Sequence, residues 1–546
     1  MKLSKYLPSL LSFALIVTAF VFVVLPVLHD GLFHVYDNVH VTRLIAFSSE
    51  LAGGQFPVRY LDSFGHGAGY FLFKFYSPLI YYLGSLFYFA GFSYIQSLKL
   101  VYLFFIALGS LGIYTLLRSL VGRFASTVAT LSFLLSPYLY HVFFHRGTIT
   151  EAAAMMLIPW LVLAFTRLRN NPTKTNIVLS AVTIALTVLT HTLTAAMGIL
   201  VVALYSALSP DKTRTLRSFF MSLVLGISLS AFFLLPSVAS SKLVQYTNNS
   251  LVERGYLDHP VAFIDQAFAL GDGTEKTAFL GLTLITGFLF TLALTLTSAK
   301  FRKNHSNILV FSLLATSIGF FVMSPVSSII WEKLIYLRYV QFPFRFLTVV
   351  TVCTSILYAL LLEHFSSSKL IKAFLTLLVF LPLLISPQFH KPLGYQYTTD
   401  YLVEDPCMTT AWADEHLPIW VNQCLLKSQD ILVEPLSGSI LIDQVAESDS
   451  GRLIKVGYSG EGELLISKYY FPGWVASNPQ GQNLPLSPHG EHGLIKMSVI
   501  DSDSPLTLEL KPTLLENIST WITLISLLIS VILIYSHYVK YPRTKN

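Results

Sequence analysis

From Leu7 to Leu28 the chain carries no charged residue, and runs of the same kind recur to its end. About twenty apolar residues are enough to cross a hydrocarbon core roughly 30 Å thick as one helix. In lipid a lone segment must close its backbone hydrogen bonds on itself, so helices are the expected spanning elements. With 53% hydrophobic and only 12% charged residues among 546, and a mean hydropathy of +0.62, the composition excludes a water-soluble globular fold. The expected class is therefore a polytopic α-helical protein, multi-pass in the cell (plasma) membrane. The formal net charge is +6, but the basic residues cluster between the apolar runs. They read as topology signals, and a nucleic-acid partner is not expected.

Apolar runs lie at approximately 98–117, 124–144, 151–168, 175–190, 192–208, 218–238, 277–298, 307–323, 341–363, 370–386 and 518–538. With the first helix this makes about twelve spans. The exit of the first run, VLPVLHDG, lacks a small-x-small cleavage pattern, so the run is expected to stay as a helix. Lys/Arg clusters at 118–123, 167–174, 212–217, 300–303, 369–372 and 540–545 place both termini in the cytoplasm. The segment 77–93, SPLIYYLGSLFYFAGFS, is apolar enough to be another span. Crossing there would put Arg118 and Arg123 outside and invert every later basic loop, so it is expected to lie as an interfacial helix.

That topology divides the chain into a membrane domain (1–386, with a first outer loop at 29–76), an extracytoplasmic β-rich domain (387–517) and a terminal helix with a cytoplasmic tail (518–546). The β-rich part rests on GSILIDQV, GRLIKVGYS, GELLISKYYF, GLIKMSVI and PLTLELK. These period-two segments are separated by turn residues, as in a β-sandwich. Cys407 and Cys424 fall there, as a disulfide or as two thiols, and Cys353 falls in a span. Five polar segments converge on the outer face: 29–76, the HVFFHRGTITE turn up to Glu151, the LTHTLT turn at His191, 240–276 and 324–346.

Ionisable residues at span ends are costly unless paired or hydrated, which makes them functional candidates. Asp30 and Asp37 follow the first span directly. If the helix continued, they would share nearly one face, either binding a divalent cation such as Mg or Mn or dividing base and orienting roles; alternatively Asp30 caps a juxtamembrane helix. Arg146 either pairs with Glu151 or grips a phosphate. His191 and Arg345, the latter in FPFRF, are further candidates for a phosphate or an anionic head group, with His29 and His34 beside the acids.

HDGxxH, GHGAGYFLFKFYSPLIYYLG, HRGxxxE, the THT turn, FPFRF and YYFPGWVA together resemble the prokaryotic membrane-protein family labelled 6-pyruvoyl-tetrahydropterin synthase-related. The soluble synthase's zinc motif is missing, and a chain of membrane spans cannot be that enzyme. The family in turn resembles the C-fold (GT-C) glycosyltransferases, which take sugars from polyprenyl-phosphate carriers. The likeness implies a GT-C-like membrane domain with Asp30 as catalytic carboxylate and Asp37 or Glu151 as second acid. It also implies a polyprenyl-phosphate sugar as donor and a cell-envelope glycan, lipid or protein as acceptor, among membrane lipids. No cofactor is required beyond the possible cation. A competing class is a lipid-linked glycan flippase or an assembly protein that binds envelope polymer.

Overall fold

The computed structural model describes residues 3–245, 282–340, 342–385, 391–392, 394–396, 407–410 and 414–540. Most of the expected outer loop at 240–276 and the domain boundary near 386 lie outside the described residues.

Five helices are long and apolar enough to cross a membrane. They lie within α1 (Leu3–Leu28), α4 (Tyr94–Arg118), α6 (Ile149–Asn170), α13 (Leu347–His364, entered from Pro343) and α14 (Leu514–Lys540). Two bent pairs bring the number to seven: α5 (Arg123–Leu134) with Pro137–Arg146, bent by 40°, and α9 (Lys212–Leu229) with α10 (Ala231–Ser240) and its extension to Leu243, bent by 80°. Twelve apolar runs thus do not give twelve long helices among the described residues. Several of the rest are shorter apolar helices, among them α7 (Lys174–Thr190), α8 (Thr192–Ala207), α11 (Leu282–Thr297) and the apolar part of α12 (Ala299–Met323). The segment at 77–93 forms α3 (Leu79–Phe89), 11 residues long. At 1.5 Å per residue it rises about 16 Å, well short of a hydrocarbon core.

The centre of the bundle is α6, 94% of whose apolar window is inside the protein, whereas α1 and α14 keep long apolar faces for lipid. Close packing of α4 on α6 needs small residues. A Cβ on Gly109 would meet Met156 Sδ at 2.2 Å and one on Gly112 would meet Trp160 Nε1 at 2.5 Å. The helices approach where only hydrogen stands, and Trp160 closes the contact by donating to the Leu108 carbonyl at 2.9 Å.

The β-rich part is a seven-stranded sheet. The expected strands GRLIKVGYS and GELLISKYYF are one strand, β4 (Leu453–Tyr469), interrupted by Gly460 and Gly462 at positive φ. One edge of β4 pairs with β3 (Val433–Glu447). The other takes β6 (Leu506–Leu510) along its first half and β5 (Leu494–Val499) along its second. Strand length and glycine give one continuous hydrogen-bonded sheet, with a core that includes Ile454, Leu464, Phe471, Ile495 and Leu508.

Buried charge fastens the sheet to the first loop. Lys468 reaches Asp62 and Glu447, each at 2.7 Å, and Phe71 stacks on Phe471 at 4.4 Å. Lys74 and Arg59 meet Glu516, at the start of α14, at 3.1 and 3.6 Å. Cys407 and Cys424 are joined as a disulfide, and Cys353 is buried in α13.

Candidate active site at the sheet end of the bundle

The first helix stops at Leu28, and the helical continuation that would align Asp30 with Asp37 does not form. Gly31 takes φ +75° and Leu32–Phe33 (β1) pairs with Tyr395–Gln396 (β2), so the chain leaves as a strand, with no helix for Asp30 to cap. Asp30 remains exposed near Lys99, whose ammonium donates to the His29 carbonyl at 2.6 Å. The His29 ring stacks on Tyr395 at 3.7 Å, and the His34 amide donates to Gly394. These three residues stand apart from the arginines.

Asp37 is placed differently. The Tyr36 and Asp37 amides donate to the His145 and Arg146 carbonyls at 3.0 and 2.9 Å, which pins this stretch of loop to the turn before α6. That turn is unusual. Val142–Arg146 is a π-helical turn, a form common at functional sites, and Gly147 follows at φ +71°. A Cβ on Gly147 would lie 2.3 Å from Val35 Cγ2, so glycine is what allows the loop to press against the turn.

Arg146 Nη1 and Arg345 Nε both meet Glu151 Oε2, at 3.2 and 3.1 Å. Glu151 is fully buried in the first turn of α6, where the positive end of the helix dipole also favours a carboxylate. Phe342 and Phe344 place their faces 5.4 and 4.9 Å from the Arg146 guanidinium, and Phe342 lies 5.3 Å from that of Arg345. The FPFRF turn therefore brings one cation and two aromatic plates to a helix end nearly two hundred residues away. His191 caps α8, accepting from the Thr194 amide through Nδ1 at 3.2 Å, and lies within electrostatic reach of Glu151 and both arginines.

Sequence reasoning passed over Arg43. It lies in the first turns of α2 (His40–Ala52), buried, with its guanidinium 4.5 Å over the Tyr76 ring. Its Nε donates to Thr410 Oγ1 at 2.9 Å and its Nη2 to the Thr410 carbonyl. Tyr76 in turn pairs with Thr150, next to Glu151, at 3.1 Å. Beside Arg43, His40 faces the Tyr81 hydroxyl at 2.8 Å; burial and then the arginine push its pKa down to about 3, so the ring is neutral. A lone cation within the apolar HVTRLIAF was the signal for Arg43; nothing in the sequence singled out Thr410.

Asp37 is solvent-accessible at its surface, yet protein crowds around it. That crowding raises its pKa above the ordinary carboxylate value, against the opposing pull of Arg146, Arg43 and Arg345. With Asp37 ionised, three guanidiniums against two carboxylates leave one positive charge in excess. Such a site suits a phosphate better than a metal. A divalent ion at Asp37 would face three cations, and Asp30 lies beside Lys99 instead of completing a ligand set. Among the described residues, the cluster with metal-like spacing is Cys407, Asp414 and Cys424, and its two sulfurs are bonded to each other.

Residues 73–390, more than half of the chain, match the family described as 6-pyruvoyl-tetrahydropterin synthase related domain, membrane protein. The chain belongs to that family. Within this 6-pyruvoyl-tetrahydropterin synthase related protein the matched region contains Arg146, Glu151, His191 and Arg345, while Asp37 and Arg43 precede it. Among solved structures, the arabinofuranosyltransferase AftD from mycobacteria is similar at 14% identity and a TM-score of 0.44, over 71% of this chain and 27% of that one. This chain thus spans about a quarter of AftD's length. No curated protein matches it.

Proposed function

We propose that this protein is an integral membrane glycosyltransferase that moves a sugar from a polyprenyl-phosphate donor to a cell-envelope acceptor at the outer face of the membrane. The observation that carries the reading is Asp37: an accessible carboxylate within electrostatic reach of Arg43, Arg146 and Arg345, the last two held by Glu151. A sugar on a lipid phosphate is already activated. The enzyme has only to stabilise the departing phosphate, orient the acceptor and supply a base.

In this scheme the acceptor oxygen attacks the anomeric carbon while the carbon–oxygen bond to phosphate breaks. The bonding pair leaves with the phosphate, facing the arginines, and the acceptor proton passes to Asp37. Glu151 shares its carboxylate between Arg146 and Arg345 and so orients both. The raised pKa suits Asp37 to the base role, since a base works best with a pKa nearer the operating pH. Asp30, the first choice on sequence, is set aside because it lies beside Lys99, whereas the three arginines act on Asp37.

The test is transfer by purified protein in lipid from a panel of polyprenyl-phosphate sugars, with Asp37→Asn and Asp30→Asn alongside. Loss of a general base costs about 10²–10⁴ in rate. The expected result is a loss of that size in Asp37→Asn and near-normal transfer in Asp30→Asn. Undiminished transfer by a folded Asp37→Asn protein removes Asp37 from the chemistry. Donor binding without transfer by the wild type favours the flippase or polymer-binding class.

A further inference from the structure

The segment from Cys407 to Cys424 belongs to the sheet-side region, yet through Thr410 it reaches Arg43. Its described part is held in an uncommon backbone. Met408, Thr410 and Asp414 all have positive φ, at 50°, 58° and 52°, and only one other non-glycine residue among those described, His66, does so. Left-handed backbone at such residues costs free energy and persists where the surroundings impose it; it concentrates at functional sites. The surroundings here are identifiable. The disulfide closes the segment, the Gly65 amide donates to the Met408 carbonyl at 3.1 Å, and Thr409 donates to Asp414 at 2.5 Å. His416 stacks on Phe75 at 5.6 Å, while Leu417, Val421 and Leu425 enter the main core.

The strained Thr410 presents both its hydroxyl and its carbonyl to one guanidinium, that of Arg43. A planar guanidinium bound at two points to a single residue is oriented by it, and the Tyr81 hydroxyl bonds the same guanidinium. Tyr76 packs against its face, and the path continues through the Tyr76–Thr150 pair to the start of α6. Arg43 is one of three cations whose charge acts on Asp37.

We propose that Arg43 is a positioning residue through which the disulfide-closed segment sets the charge beside Asp37, so that removing the disulfide weakens the site while leaving all its charged residues in place. The functional importance of this coupling rests on the transferase reading, but the coupling itself can be measured without turnover. Besides Arg43, the groups acting on Asp37 are Arg146 from the π turn, Arg345 from the FPFRF turn and Glu151 from α6. The Tyr76, Tyr81 and Tyr102 hydroxyls also surround it.

The experiment is infrared titration of the Asp37 carboxyl in the full-length protein in lipid, with Asp37→Asn as the spectrum that assigns the band. A neighbouring cation lowers a carboxyl pKa by about 1–3 units. Arg43→Gln is therefore expected to move the midpoint upward by about 1 unit or more. The Cys407→Ser/Cys424→Ser double variant is expected to move it in the same direction by a smaller amount, and Arg43→Lys to recover part of the shift. Thr410→Gly suits the left-handed backbone and removes the hydroxyl with the rest of the side chain while keeping the carbonyl that Arg43 Nη2 reaches, so it serves as the better-folded variant and is also expected to raise the midpoint. The proposal is overturned if Arg43→Gln leaves the midpoint in place. It is equally overturned if Arg43→Gln moves it while the folded double-serine and Thr410→Gly proteins do not. Transfer assays on the same samples separate the two readings. Shifted midpoints without transfer by the wild type sustain the coupling and count against the transferase, whereas transfer with unmoved midpoints does the reverse.

Discussion

Glu151→Gln is the most informative single perturbation, because it removes one charge and almost no volume. In the native protein Glu151 Oε2 is shared by Arg146 at 3.2 Å and Arg345 at 3.1 Å, and the carboxylate is fully buried. At an effective dielectric of about 20, each contact has a gross Coulomb attraction of about 5 kcal/mol. Repulsion between the guanidiniums and the cost of desolvating all three groups cancel much of it. Breaking such a pair from one side still leaves buried charge uncompensated, at a net cost of about 3–5 kcal/mol. Denaturant unfolding in detergent micelles should show a loss of that size. The variant also raises the positive excess of the cluster, so inorganic phosphate should stabilise Glu151→Gln more than wild type. Saturation at about 100 times the Kd is worth about 2.7 kcal/mol. A loss below about 1 kcal/mol would refute the view that Glu151 holds the arginines. Equal stabilisation of both proteins by phosphate would refute the charge argument.

The remaining predictions concern pH, the loop contact and the sheet. Because Asp37 must be ionised to act as base and its pKa is raised, the acid limb of transfer should lie above the ordinary carboxylate value of about 3.9, a limb at or below that value being the contrary result. The linked stability effect has the opposite sign from that of a salt-bridged acid. A raised folded-state pKa means that ionising Asp37 costs stability above it and nothing below the unfolded value, so Asp37→Asn should unfold no earlier than wild type at neutral pH. Gly147→Ala, at φ +71° and against Val35, should cost about 1–3 kcal/mol in unfolding measurements, and adding Val35→Ala should recover the steric part but not the backbone part. Lys468→Met leaves Asp62 and Glu447 facing each other without their cation. Since both carboxylates are partly exposed, a cost of about 2 kcal/mol is expected, with limited proteolysis releasing the sheet sooner than in wild type.

Hydropathy and residue types, properties of each stretch taken alone, were enough for the class of this protein. An uncharged run from Leu7 to Leu28 and its repeats require lipid, and period-two patterning marked the strands. GRLIKVGYS and GELLISKYYF read as two strands because glycine is local punctuation, and only pairing of the whole of β4 with β3 joined them. The same divide runs through the site. Arg146 and Glu151 are five residues apart, so their contact was legible as an alternative to phosphate binding. The choice between Asp30 and Asp37 was not, because it depends on Gly31 turning the chain out of the helix and on the Asp37 amide meeting the Arg146 carbonyl. Arg345, Arg43 and Thr410 join the site from segments up to 367 residues apart, and Arg43 from within a buried helix. The sequence alone settled that charge buried in such a chain must be compensated; tertiary structure decided by which partners, since compensation needs contact within a few ångströms and that spacing exists only once the helices and the sheet have packed.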